Sequence, residues 1–237
     1  MSKTVYTLLL GYLAICDAFL SPVSLSNDTL SKIQQQTSIQ KASQYCNLEI
    51  LQYAQGSFNL NLGLPDEMNW MNGAELAKKV DNLLMTNVKE LMDVCRQHQL
   101  FVHYSGAYES CMNQWFLLRN TEASLQDVFE YVHMFLRLDF ICNSGFEEVA
   151  NQWDCLHPIQ SSTEYQTCLT ALRQAVESDA TKLCRSDVET FMKCTQKVAY
   201  NACNNSKSAG WWGCEESRVG FARECHNLRC YVADSQP

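Results

Sequence analysis

A chain of 237 residues, 46% of them hydrophobic, has enough apolar content for one fair-sized core or two small ones, which argues against a disordered polar tail. Its formal charge of −8 argues against nucleic acid or an anionic membrane surface as the main partner, because both are held by Lys and Arg. Thirteen cysteines point to an oxidising compartment where disulfides persist, unless the thiols are zinc ligands.

The N-terminus chooses between those two. MSKTVYTLLLGYLAICDAFLSP opens with Lys3, runs through an apolar stretch from Thr7 to Cys16, and offers small residues near Ala18 and Ser21. That is the layout of a secretory signal peptide, read here as residues 1–18. The stretch is too short to cross a hydrocarbon core of about 30 Å as a helix, and no later run is long enough. Bulky Ile15 stands where lipoprotein processing at Cys16 wants a small residue, and the end RCYVADSQP lacks the apolar tail of a lipid-anchor signal. The expected product is secreted and extracellular, with no membrane span, as a single domain over residues 19–237. Losing Cys16 leaves twelve cysteines for six disulfides: Cys46, Cys95, Cys111, Cys142, Cys155, Cys168, Cys184, Cys194, Cys203, Cys214, Cys225 and Cys230.

Only four Pro and nine Gly interrupt the chain, and strand-like alternation is nearly absent, so the fold class is all-α, a disulfide-stapled helical bundle. In chain order, a helix is expected from about Thr29 to Tyr53. The run AELAKKVDNLLMTNVKELMDVC, Ala74 to Cys95, then reads as one amphipathic helix in which Leu76, Val80, Leu83, Leu84, Val88, Leu91, Met92 and Cys95 follow helical spacing, with Cys95 on the buried stripe. Helices from about Tyr108 to Leu118 and Leu125 to Phe140 follow. Ser144 with Glu147, Ser161 with Glu164, and Ser186 with Glu189 each form a Ser-x-x-Glu capping box that opens a further helix. A last helix is expected from about Glu215 to Cys230.

Three of the twelve cysteines precede residue 140 and nine follow it, so the C-terminal half is cysteine-dense. Both numbers are odd. If every cysteine pairs internally, at least one bridge crosses that division, which favours one stapled unit over two. Cys194 and Cys203, if on one helix, point to opposite faces.

Chemistry is sparse. CHNLRC, from Cys225 to Cys230, sets His226 among thiols, but no C-x-x-C pair accompanies it, and disulfides are the better reading. Glu130 and His133 have the Glu-x-x-His spacing of a bundle metal site without the second copy and extra carboxylates such a site needs. His98, His103, His133, His157 and His226 fall in no catalytic constellation, and neither G-x-S-x-G nor a phosphate-binding glycine loop occurs. No catalytic residue, metal or cofactor is expected, and the chain is read as no enzyme. Asn27 and Asn204 head the sequons Asn27-Asp28-Thr29 and Asn204-Asn205-Ser206 and are expected to carry N-glycans. Trp211-Trp212 reads as a core plug beside Cys214 rather than a stacking surface. The Ser-Gly pairs at Ser144 and Ser105 are candidate glycosaminoglycan attachment sites. Glu147 and Glu148 make Ser144 the more acidic of the two, but its hydroxyl is expected to be occupied as a helix cap.

The pattern ICNSGFEEVANQWDCL, followed by YQTCL, KLC, FMKC and NACNNS, together with CMNQWFLL, resembles the chondroitin proteoglycan 4-like domain of secreted nematode proteins. It also resembles a second secreted nematode domain, one of unknown function. The resemblance spans roughly Cys46 to Cys230. It implies a cysteine-rich helical fold and no catalytic residues. The family takes its name from chondroitin-bearing cores, which usually carry Ser-Gly sites in low-complexity acidic stretches that this chain lacks.

The function expected from these observations is non-catalytic: extracellular binding of a protein or glycan partner, or a structural role like that of a matrix or proteoglycan core. The alternative is a carrier of a small apolar ligand, which a cavity of several hundred Å³ beside a helix such as Leu125 to Phe140 would favour; a third reading, an extracellular enzyme, would need convergent His and carboxylate side chains in a cleft.

Overall fold

The computed structural model of the chain describes residues 25–36 and 46–232. The expected signal peptide and Cys16 lie outside them. Among the described residues every regular element is helical: α1 Asn27–Gln36, α2 Leu48–Leu62, α3 Gly73–Leu84, α4 Val88–Ser105, α5 Tyr108–Cys111, α6 Gln114–Asn120, α7 Leu125–Ile141, α8 Phe146–Asn151, α9 Trp153–Leu156, α10 Thr163–Ser178, α11 Val188–Ala202 and α12 Lys207–Gly220. Short tight turns of helix lie at Trp70–Asn72, Ile159–Ser161 and Ala180–Lys182, and a π turn at Leu183–Asp187.

Asparagine punctuates the first half. The side chain of Asn47 accepts the amides of Glu49 and Ile50 and opens α2, so the single helix expected over 29–53 is α1 and α2, with 37–45 outside the described residues. Asn87, in extended backbone, accepts the amide of Glu90 at 3.0 Å and splits the helix expected over 74–95 into α3 and α4. Asn113 accepts the amides of Trp115 and Phe116 and splits 108–118 in the same way. At Asn87 and Asn113 the apolar stripe continues, but an amide oxygen at the cap takes amides that a continuing helix would bond to its own carbonyls.

The three serine boxes predict helices that exist, but none caps as expected. Gly145 stands at the N-cap of α8, and Ser144 lies exposed in the turn before it. Ser162, not Ser161, caps α10 by accepting the amide of Tyr165 at 3.2 Å. The π turn at Leu183–Asp187 runs directly into α11, and Ser186 instead donates to the carboxylate of Asp187. The last helix starts earlier than expected. Ser206 caps α12, which ends at Gly220 rather than continuing to Cys230.

α7 is the centre. It is buried nearly all round, with Val128, Phe129, Tyr131, Val132, Met134, Phe135, Leu138 and Ile141 in the core, and α1, α3, α4, α6, α8 and α12 pack against it. Polar side chains fix each docking. Tyr131 donates its hydroxyl to Gln55 at 2.7 Å, Gln55 donates to Asn59 at 2.8 Å, and Asn59 donates to the carbonyl of Met68 at 2.7 Å, which seats α2. The carboxylate of Asp127 accepts the amide of Ala74 at 3.2 Å, at the N-terminus of α3. There a Cβ on Gly73 would meet the Asp127 carbonyl at 2.0 Å, so only glycine lets α3 begin so close to α7. Arg137 and Glu216 bring α12 in as a fully buried ion pair, Nε to Oε1 3.3 Å, at an angle outside hydrogen-bond geometry.

All twelve cysteines from Cys46 onward pair: Cys46–Cys111, Cys95–Cys142, Cys155–Cys203, Cys168–Cys194, Cys184–Cys225 and Cys214–Cys230. Cys95–Cys142 is the bridge that crosses residue 140. Cys194 reaches α10 while Cys203, just past the end of α11, reaches α9.

The Arg137–Glu216 pair yields a test. Arg137→Leu leaves Glu216 buried without its cation and should cost about 3–5 kcal/mol in chemical denaturation, and adding Glu216→Leu should recover most of that loss. A double variant no more stable than the single one would mean that packing, not charge pairing, holds α12 to α7.

Candidate functional site

α10 and α11 form a helical hairpin whose apolar faces meet inward, with Tyr165 and Phe191 in edge contact at 6.1 Å. On the outer side of the hairpin, Pro158 and the short turn Ile159–Ser161 bring the chain back from α9. Cys168–Cys194 ties α10 to α11, and Cys155–Cys203 ties α9 to the end of α11. Between these ties lies a groove of about 720 Å³. Its walls are Pro158, Ile159, Val198, Ala202 and the two disulfides, with Ser162, Glu164, Thr167, Lys197 and Asn201 contributing polar groups. The size falls in the range of small-molecule sites, as does the mix of apolar wall and few polar groups.

The core beside α7 is solid. Its cavity is about 20 Å³, room for one water, lined by Leu25, Leu30 and Ile33 from the α1 segment and by Phe129, Glu130, His133, Phe221 and Glu224 among others. Among the described residues, aromatic and aliphatic side chains fill the space where the carrier alternative would need its cavity: Phe101 and Phe135 stack at 4.2 Å, and Phe58 packs against both.

Three titratable side chains meet at that small cavity. Nε2 of His133 lies 3.2 Å from Oε1 of Glu224, and Gln114 donates to the same oxygen at 3.0 Å. Oε2 of Glu224 is buried without a hydrogen-bond partner. Glu130 accepts from Gln126 at 2.5 Å. Burial pushes the Glu130 carboxyl up to about 7, against the opposing pull of His133 and Arg137. Burial also raises the Glu216 carboxyl, and Arg137 counters it.

The histidines do not converge. His98 is buried against Asp139, Nε2 to Oδ1 3.1 Å, and Tyr108 donates to the other oxygen of that carboxylate at 2.8 Å. His157 stacks on Trp153, and its Nδ1 lies 2.8 Å from the Trp153 carbonyl. His103 and His226 are exposed. No histidine lines the groove, and among the described residues no group of three or more His, Cys, Asp or Glu side chains could hold a metal ion.

The modification candidates divide. Asn27 is exposed in the first turn of α1, while Thr29 of its sequon is buried with its hydroxyl bonded to that of Ser26 at 2.8 Å. Asn204 is exposed in a left-handed turn, φ 54°, beside Cys203. Ser144 is exposed, and its hydroxyl does not cap α8. Ser105 is buried and donates to the carbonyl of Phe101 at 2.6 Å, so it offers no accessible acceptor, contrary to the expectation. Gly145 serves packing: a Cβ there would meet the Phe140 ring at 2.8 Å, and its carbonyl accepts the indole N–H of Trp212 at 3.0 Å. Trp212 is thus the plug, with Trp211 half-buried against Phe140.

No known family model, curated protein or solved structure matches this chain. No helix among the described residues is long and apolar enough to cross a membrane.

Sequence reasoning missed the groove because its walls come from segments 155–168 and 194–202, which helix packing and cysteine pairing bring together. It also missed Gln114 and Glu224, partners 110 residues apart.

Glu130 makes the fold pH-dependent. Its carboxyl titrates near 7 in the fold against an ordinary 4.5, so as pH rises the unfolded chain loses this proton first and stability falls from about pH 4.5 to 7, then levels. Glu130→Gln removes the loss. Its gain over the wild type should grow across that window toward roughly 3 kcal/mol, visible as a larger Tm increase at pH 8 than at pH 5. The same increase at both pH values would rule out a titrating Glu130.

Proposed function

We propose that this protein is a secreted, disulfide-stapled, non-catalytic binding protein that carries a small, largely apolar ligand in the groove between α9–α10 and α11. The observation that carries this reading is the groove itself: about 720 Å³, braced by two disulfides, against a cavity of about 20 Å³ beside Phe129, Glu130 and His133 of the central helix. Pro158, Ile159, Val198 and Ala202 supply apolar wall, and Glu164 and Lys197 add one charge of each sign, which suits a neutral ligand better than an ion. The lining has no histidine to act as a general base near neutral pH. N-glycans at Asn27 and Asn204 belong to the same extracellular reading.

A neutral, environment-sensitive naphthalene dye tests it. The wild type should bind one dye saturably, and Ala202→Trp, which fills the groove from an exposed position, should weaken binding by at least about tenfold with little change in Tm. Dye binding that ignores the tryptophan, or is never saturable, would remove the groove as a site.

A second reading, a core that bears glycosaminoglycan, is favoured by Ser144. Its side chain is exposed in the turn after α7, it is followed by Gly145, and Glu147 is exposed nearby. The resemblance to the chondroitin proteoglycan 4-like domain agrees with this reading. Protein secreted from animal cells should then run as a broad, heavy species that chondroitinase collapses and that Ser144→Ala abolishes. A sharp mass that shifts only with N-glycanase would end this reading.

A further inference from the structure

α2 is LEILQYAQGSFNLNL, and Glu49 is its only charged residue in a chain of net charge −8. One side packs on α4, antiparallel to it: Tyr53 meets Tyr104 and, further along, Phe58 meets Phe101. The other side is bare. Tyr53 is 69% exposed and Leu60 70%, with Ile50, Leu100 and Tyr104 also exposed on the same helix pair. Residues 53 and 60 are seven apart, close to two helical turns, so both stand on one line along the outer face.

Gly56 lies between them, and no packing among the described residues requires it. Its backbone is ordinary right-handed helix, and a Cβ there would meet nothing within 4 Å. Gly73, Gly145, Gly213 and Gly220 differ, because a Cβ on each would collide with a packed neighbour. A helix-interior glycine costs helical stability relative to alanine, so its use here points to something that approaches α2 from outside.

The stripe is its own complement. A two-fold axis passing between Gly56 and Ser57 would lay two copies of α2 antiparallel, with Tyr53 of each copy on Leu60 of the other and the small residues facing at the crossing. An isologous interface has this reciprocity, residue i on j and j on i. Charge agrees: for copies that each carry a net charge of −8, a face nearly free of charge adds little local repulsion. Taking about 200 Å² for a tyrosine side chain and somewhat less for Leu and Ile, the exposed fractions give roughly 900 Å² over both copies, below the standard interface size and suited to a dimer that dissociates readily.

We propose that α2 is a self-association face through which two copies of this chain pair antiparallel about Gly56–Ser57. Sedimentation equilibrium of the secreted protein, from low micromolar to near-millimolar concentration, tests it. The wild type should dimerise. Tyr53→Lys and Leu60→Glu should each weaken the dimer by at least about tenfold. Mixing those two variants should restore association as a heterodimer, because the introduced lysine of one then faces the introduced glutamate of the other while the second Tyr–Leu contact stays native. Gly56→Ala should raise the Tm of the monomer yet weaken the dimer. A wild type that stays monomeric throughout, as it would if another segment or another protein covers this face, overturns the proposal. So does a dimer that Tyr53→Lys leaves intact, or a pair of variants that fail to complement.

Discussion

The rest of the structure depends on α7 being enclosed on nearly all sides although its sequence, LQDVFEYVHMFLRLDFI, carries five ionisable groups besides Tyr131. Polar groups taken out of water must find partners, and these partners come from elements spread along the whole chain. Asp127 is met by the N-terminus of α3, Asp139 by His98 of α4 and Tyr108 of α5, His133 by Glu224 beyond α12, Arg137 by Glu216 of α12, and Tyr131 by Gln55 of α2. Apolar burial would hold these helices against α7 in many rotations, because it has no direction. The polar pairs select one. A buried ion pair adds little net stability compared with a hydrophobic pair of the same shape, so the role of Arg137 and Glu216 is better described as orientation than as strength.

How much of this was legible in the chain depends on the range of the interaction. Helical class and the apolar stripes of α3, α4 and α7 follow from local periodicity, which neighbouring residues carry. Asn87 and Asn113 break helices whose stripes run on unbroken, because a cap is a backbone choice made by one residue and leaves no trace in the periodicity. Ser144 had the right box in the wrong place: Gly145 must pass beneath Phe140 and Trp212, and that tertiary demand sets where α8 begins. The partners of α7 were illegible, since nothing local links Tyr131 to Gln55 or Gln114 to Glu224. The groove was illegible for a related reason, as its walls are defined by which of many cysteine pairings the chain adopts.

Glycine shows the same division from another side. Gly73 and Gly220 mark close approaches to α7, one against the Asp127 carbonyl and one against the Arg137 guanidinium, where a Cβ would lie 2.9 Å from Nε. Those positions explain themselves once the fold is known. Gly56 does not, since a Cβ there would meet nothing within 4 Å.

The disulfides also bear on why a groove persists beside a solid core. Left to packing alone, an apolar cleft between α9–α10 and α11 would close, because closing it removes apolar surface from water at roughly 25 cal/mol per Å². Cys168–Cys194 and Cys155–Cys203 fix the spacing and register of its walls covalently, which limits how far the helices can shift to close it. A site held open in this way is already ordered before anything binds, and a ligand that fills it loses little affinity to rearranging the protein. The same bridges that staple the fold thus help it keep an apolar surface uncovered.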